Sequence, residues 1–234
     1  MFNKRFAARI GVYILGLFVL AFGVVFAINS DLGISPVNAL PFAASLVSGI
    51  GLGICVAVFF STCIVLQIVL LRREFKWINL TQIIFSFIFG YFVDIAVFVK
   101  GDFTLALVAG HFGIPGYAGQ LVMLAISLVL IATGLAMYME AKLINLPPEA
   151  LVLAIAGKIP NGAFHWVKIV MDSILVALAI ALTLAFTGGI YGIREGTVIS
   201  AILIGKLIPY TRKFVMLILG KVGFYAEETP CATA

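Results

Sequence analysis

A handful of polar and charged side chains lie where long apolar sequence ought to exclude them. Glu149 follows Pro147 and Pro148, and Asn38 holds the equivalent place after Ser35 and Pro36. Lys168 and Asp172 stand four residues apart inside an apolar run, so on a helix they share one face. An ionisable residue in such a setting carries a function or a compensating partner. A carboxylate can exchange a proton or bind an amine, and a lysine supplies positive charge. This makes Ser35, Asn38, Glu149, Lys168 and Asp172 candidate substrate-binding residues, with Asp94, Lys206 and Glu195 as candidates for coupling or gating.

Each has a plainer account. Glu149 could serve only the positive end of a helix in its first turn. Asn38 could make a local turn bond. Lys168 and Asp172 could form a structural ion pair with the lysine snorkelling outward. Lys206 could be an anchor, Asp94 a cap, and Glu195 the start of a helix after Arg194. For catalysis the signals are poor: a serine nucleophile motif, a phosphate loop and a paired His/Glu metal motif are all missing. His111 and His165 are single, and Cys55, Cys63 and Cys231 lack CxxC spacing, so neither metal nor cofactor is expected. The chain is not expected to be an enzyme.

The elements that position these residues follow from composition. Hydrophobic residues make up 63% and charged residues 11% of the 234, where soluble domains run near 45–50% and about 25%. That is an integral membrane protein with room for about six to eight helices of roughly 20 residues each. The basic residues sit at the ends of apolar runs, which accounts for the net charge of +5 without nucleic acid. Full spans are expected at Arg9 to Ile28, Leu52 to Leu71, Ile78 to Val99, Tyr117 to Met139, Phe164 to Thr187 and from Thr197 onward. Two apolar stretches are too short to span. The first occupies about 35–49, opening on Ser35-Pro36 and closing on Gly49. The second occupies about 147–157, opening on two prolines and closing on Gly157.

The chain repeats. Adding 111 carries Gly23 to Gly134, Pro36 to Pro147, Ala39 to Ala150 and Leu40 to Leu151, and adding 115 carries Gly90 to Gly205. Repeat 1 is residues 1–108 and repeat 2 is residues 109–234, each with three spans and one short helix. Lys and Arg concentrate in cytoplasmic loops. If both short helices enter and leave on one side, Lys4, Arg5, Arg9, Arg72, Arg73, Lys76, Lys142, Lys158, Arg212, Lys213 and Lys221 fall inside, and only Lys100 and Arg194 fall outside. Were both to cross, Arg72, Arg73, Lys76, Lys142 and Arg194 would face out. The first arrangement is favoured, with both termini cytoplasmic in the inner membrane. Three spans per half also make the second repeat inverted.

Asp31-Leu32-Gly33-Ile34-Ser35-Pro36-Val37-Asn38-Ala39-Leu40-Pro41 resembles the loop and short helix of the YczE/YitT-like family of bacterial inner-membrane proteins. Pro147-Pro148-Glu149-Ala150-Leu151-Val152-Leu153-Ala154-Ile155 is similar to its second-half element. Arg194-Glu195-Gly196-Thr197-Val198-Ile199 with Leu203-Ile204-Gly205 is similar to its last-span motif. The resemblance runs from about Arg9 to Tyr210. It departs at Lys206, where the family has proline, and at Val37, where an aromatic is commoner. It implies a multi-pass bacterial membrane protein and supplies no substrate.

The expected fold is therefore all-α integral membrane, with two inverted-topology repeats and two re-entrant half-helices. Broken helices in inverted repeats are a transporter signature. The expected function is a small secondary transporter or facilitator of an anionic or zwitterionic metabolite, bound between the short helices near the midplane. Its expected partners are that small molecule and membrane lipid, with a homodimer as a further option. The transporter calls for a polar, solvent-reachable cavity that touches both Asn38 and Glu149; the alternative, a non-transporting scaffold or accessory subunit, calls for a closed interior whose polar groups pair with one another.

Overall fold

The computed structural model describes residues 4–75, 77–105, 116–159, 164–221 and 224. Among the described residues eight α-helices follow one another: α1 Lys4–Ser30, α2 Pro36–Ser48, α3 Leu52–Leu71, α4 Thr81–Leu105, α5 Tyr117–Glu140, α6 Pro147–Lys158, α7 Phe164–Thr187 and α8 Glu195–Lys221. Two 3₁₀ turns, Arg72–Glu74 and Trp77–Leu80, join α3 to α4. The boundary expected at 108/109 lies outside the described residues, as do His111, Cys231 and the side chain of His165.

Five helices, α1, α3, α4, α5 and α7, contain stretches long and apolar enough to cross a membrane. This is a helical membrane protein. The expected sixth span, α8, forms a helix of full length but is not among the five, because Glu195, Lys206, Arg212 and Lys213 interrupt its apolar face. α4 runs farther than expected, to Leu105, through a glycine at 101.

Local chemistry sets the helix ends. Pro36 and Pro147 each begin a short helix, where a missing N–H removes only a group that would lack a helical partner. Gly49 closes α2 at φ 70°, the left-handed conformation that a residue without Cβ adopts freely. The loops before the two short helices have the same backbone. Asp31 has φ 53° and Lys142, 111 positions on, has φ 50°. Ser35 sits at φ −61°, ψ 145° and Leu146 at φ −62°, ψ 149°.

Packing gives each helix a direction. The broadest interface joins α1 and α5. Gly16 meets Gly134, Met137 and Tyr138 while Gly23 meets Leu130 and Ile131, so the pair is antiparallel. Tyr13 packs on Phe85 with ring centroids 4.5 Å apart and Phe18 on Phe92 at 5.4 Å, so α4 runs with α1. α3 runs against α4, since Gly53 faces Gly90 and Asp94 at one end and Gln67 faces Gln82 at the other. α8 runs with α5, as Leu124 and Leu128 pack near Ile199 and Leu207, and Ala136 packs near Val215. The N–H of Ile34 donates to Gly192 at 3.0 Å and that of Gly196 to Leu32 at 2.7 Å. Those bonds put the α7–α8 connection at the C-terminal end of α1, so α7 runs with α1. The chain thus alternates in direction through α1, α3, α4, α5, α7 and α8. α2 packs chiefly on α7 and α3, and α6 on α3 and α7.

Candidate functional site

The depth of α6 is fixed by two contacts with α3 and the turn after it. Gln67, buried in the last turns of α3, donates from Nε2 to the carbonyl of Pro147 at 3.0 Å and lies 3.4 Å from Gln82. Lys158, at the other end of α6, pairs with Glu74 at 2.7 Å. Gln67 lies about one turn before α3 ends at Leu71, and Glu74 lies in the 3₁₀ turn beyond that end. α6 therefore starts inside the protein and ends at the same rim as the basic turn Arg72–Glu74. Replacing Gln67 with leucine keeps the volume but removes the donor to Pro147. The expected result is a loss of about 1–3 kcal/mol, read as a lower melting temperature in detergent, with Ser173→Ala on the exposed side of α7 as an unaffected control.

Glu149 stands in the first turn at this inner end. Its Oε2 is buried and has no hydrogen-bond partner, and the hydroxyl of Tyr13 on α1 is in the same condition. Tyr13 and Tyr138 on α5 share one buried cluster with Leu146, the residue that precedes α6, and α6 packs on α3, which carries Cys63, and on α7, which carries Lys168 and Asp172. Lys168 and Asp172 are themselves paired, Nζ to Oδ1, at 2.8 Å. Of the candidate residues, Lys168 and Asp172 are thus paired on the helix against which the Glu149-bearing α6 packs.

Ser35 and Asn38 form a separate group. The Asn38 side-chain amide donates to the Ser35 hydroxyl at 2.9 Å, and its backbone N–H to the Ser35 carbonyl at 2.9 Å. α2 rests on the C-terminal half of α7 through Ala39, Ala43 and Ala179. Ala179 is seven residues beyond Asp172, roughly 10 Å along the helix. The two short helices thus bring their polar groups to two levels of α7.

The remaining candidates have local roles. Asp94 accepts the backbone N–H of Gly53 at 2.7 Å and so caps the start of α3 from α4. Glu195 lies 3.6 Å from Arg194, whose guanidinium also donates to the Asp31 carbonyl at 3.0 Å and so ties the α1–α2 loop to α8. Lys206 is exposed on α8. Arg212 on the same helix pairs with the buried Glu140 of α5.

Two open surface grooves are lined by Lys213, Met216 and Leu217, and by Ala125, Ile126, Val129 and Leu130. Neither touches Asn38 or Glu149. Among the described residues there is no cluster of three or more His, Cys, Asp or Glu able to hold a metal. Tyr13, Tyr138 and Gln67 were not singled out from sequence. Their only signal was a polar atom inside an apolar run, which gives no hint of which helix it will meet.

The geometry defines a multi-helix membrane protein with a buried acidic site at the inner end of a short helix. The chain belongs to a family of unknown function, DUF6198, which matches residues 7–213. No curated protein and no solved structure matches it.

Proposed function

We propose that the chain is a small inner-membrane transporter or facilitator of an anionic or zwitterionic metabolite, built from two inverted repeats with re-entrant α2 and α6. The observation that carries this reading is the unpartnered Oε2 of Glu149 at the buried end of α6, a helix whose other end pairs through Lys158 with Glu74. Interrupted helices that end at mid-depth between inverted repeats are how secondary transporters build their sites.

Three features support the repeats. The helix directions of α1, α3 and α4 are reversed in α5, α7 and α8. Packing maps between the halves: α1 on α4 matches α5 on α8, and α2 on α7 matches α6 on α3. The central seam maps onto itself: Gly23 abuts Ile131, and the positions shifted by 111, Gly134 and Leu20, abut each other. We also place the family beside the YczE/YitT-like proteins, on the three motifs quoted above.

The transport test is uptake into proteoliposomes from a panel of small acids and amino acids, with Glu149→Gln beside wild type. The variant is expected to slow uptake at least about tenfold, equivalent to 1.4 kcal/mol at the barrier. Uptake indifferent to that change would place the site elsewhere. The topology test labels single cysteines with a membrane-impermeant thiol reagent in a background free of Cys55, Cys63 and Cys231. Cysteines at 74 and 158 are expected to react from the cytoplasmic side and one at 31 from the other. Labelling of 158 from the far side would mean that α6 crosses.

The scaffold reading has its own observation. Lys168 with Asp172, Arg212 with Glu140, Lys158 with Glu74 and Asn38 with Ser35 are polar groups that pair within the chain. A protein that carries nothing across liposomes yet co-purifies in fixed ratio with another membrane complex would favour it.

A further inference from the structure

The inner end of α6 is a poor receptor for an anion. Pro147 and Pro148 have no N–H, and the N–H of Ala150 is committed to the Leu146 carbonyl at 2.9 Å. The one first-turn donor left, the N–H of Glu149, is taken by the Glu149 carboxylate itself.

Among the described residues, the charges acting on Glu149 are Lys168 and Asp172, and they already neutralise each other at 2.8 Å. Lys168 is thus already paired, while Oε2 of Glu149 has no hydrogen-bond partner at all. A buried carboxylate left in that condition draws a cation or takes up a proton.

The surroundings favour an organic cation. Tyr13 and Tyr138 meet edge to face with centroids 5.8 Å apart, and Phe85 packs on Tyr13 at 4.5 Å. Aromatic faces attract ammonium groups, and the attraction grows when water is excluded. The unpartnered Tyr13 hydroxyl offers an oxygen to an N–H donor.

We infer that the inner end of α6, with Glu149, Tyr13 and Tyr138, binds the ammonium group of a small zwitterion. This rests on the transport reading and narrows it: of the two substrate classes, it selects the zwitterion. The ammonium pairs with Oε2 of Glu149, and Tyr13 on α1, Cys63 on α3, Tyr138 on α5 and Lys168 and Asp172 on α7 are the titratable groups around it.

The experiment uses the purified full chain in detergent at pH 8. Its melting temperature is followed against methylammonium chloride, glycine, sodium acetate and sodium chloride at equal ionic strength. Methylammonium and glycine are expected to raise it in a saturable way, and the two sodium salts are not. Glu149→Gln is expected to abolish the shift. Tyr13→Phe, which keeps the ring and loses the hydroxyl, is expected to weaken the apparent affinity about fivefold. If Glu149→Gln does not fold, Tyr13→Phe decides alone.

Stabilisation by acetate instead, no response to methylammonium, or a response unchanged in the folded variants would each overturn the assignment. So would a pH-dependent stability that Glu149→Gln removes while methylammonium has no effect, because the carboxylate would then take up a proton only. Binding without uptake in proteoliposomes would keep the ammonium site and remove the carrier. Glu149-dependent uptake of a substrate lacking an amine would do the reverse.

Discussion

Gly53→Ala is expected to lower the melting temperature by about 6–12 °C, the equivalent of about 3 kcal/mol in a chain of this size. A methyl group at position 53 would lie 2.0 Å from the carbonyl oxygen of Gly90 and 2.5 Å from Oδ2 of Asp94. The first of these is backbone, so no side-chain rotation relieves it. α3 and α4 must part. That separation lengthens the 2.7 Å bond from the Gly53 N–H to Asp94 and opens the parallel stack of Phe60 on Phe89, whose centroids are 5.6 Å apart. Gly205→Ala is the control, since position 205 has nothing within 4 Å of an added Cβ. Thermal melts of the two variants in one detergent make the comparison. Equal melting temperatures would mean that α3 and α4 do not meet at these glycines.

Gly134→Val is expected to be at least as damaging. A Cβ there would lie 2.7 Å from the backbone N of Leu20 and 2.7 Å from the Gly16 carbonyl oxygen, both on the opposing helix. Without a hydrophobic drive in lipid, helices associate by close packing across small residues, and this seam is the broadest in the protein. Valine adds two methyl groups to that contact, and no rotamer takes its Cβ away. The expected outcome is loss of about 3 kcal/mol or more, seen as a broadened or void-volume peak in size-exclusion chromatography and a lower melting temperature. Gly23→Val probes the related contact, where Cβ would lie 2.8 Å from the Ile131 backbone N. The two variants should fall together. A mild effect at one and a severe effect at the other would count against a seam that maps onto itself.

These seams also mark where the two halves differ. Gly90 and Gly205 correspond in sequence, yet Gly90 is pressed against Gly53 while Gly205 faces open space. The close α3–α4 packing has no equal between α7 and α8. The charges on α8 give the physical contrast: α4 carries Asp94 as a cap, while α8 carries Lys206, Arg212 and Lys213 on exposed positions.

Much of the architecture could be read directly from residue order. Apolar run lengths, prolines at Pro36 and Pro147 and glycine at Gly49 define where helices begin and end, because each acts through its own backbone. The offset of 111 that links Gly23 with Gly134 also links Asp31 with Lys142, two residues that share a positive φ. The pairing of Lys168 with Asp172 needed only helical spacing.

Tertiary structure decided the rest. That α6 starts at the depth of Gln67 and ends beside Glu74 depends on a contact between residues 80 positions apart. Tyr13 and Tyr138 reach the surroundings of Glu149 only because α1 and α5 cross antiparallel on their glycines. Ser35 and Asn38 were expected beside Glu149, yet α2 leans on Ala179, farther along α7 than Asp172. Helical periodicity specifies which side chains share a face. It carries no information on which face of another helix will meet them, or at what height, and that meeting leaves Oε2 of Glu149 buried without a hydrogen-bond partner.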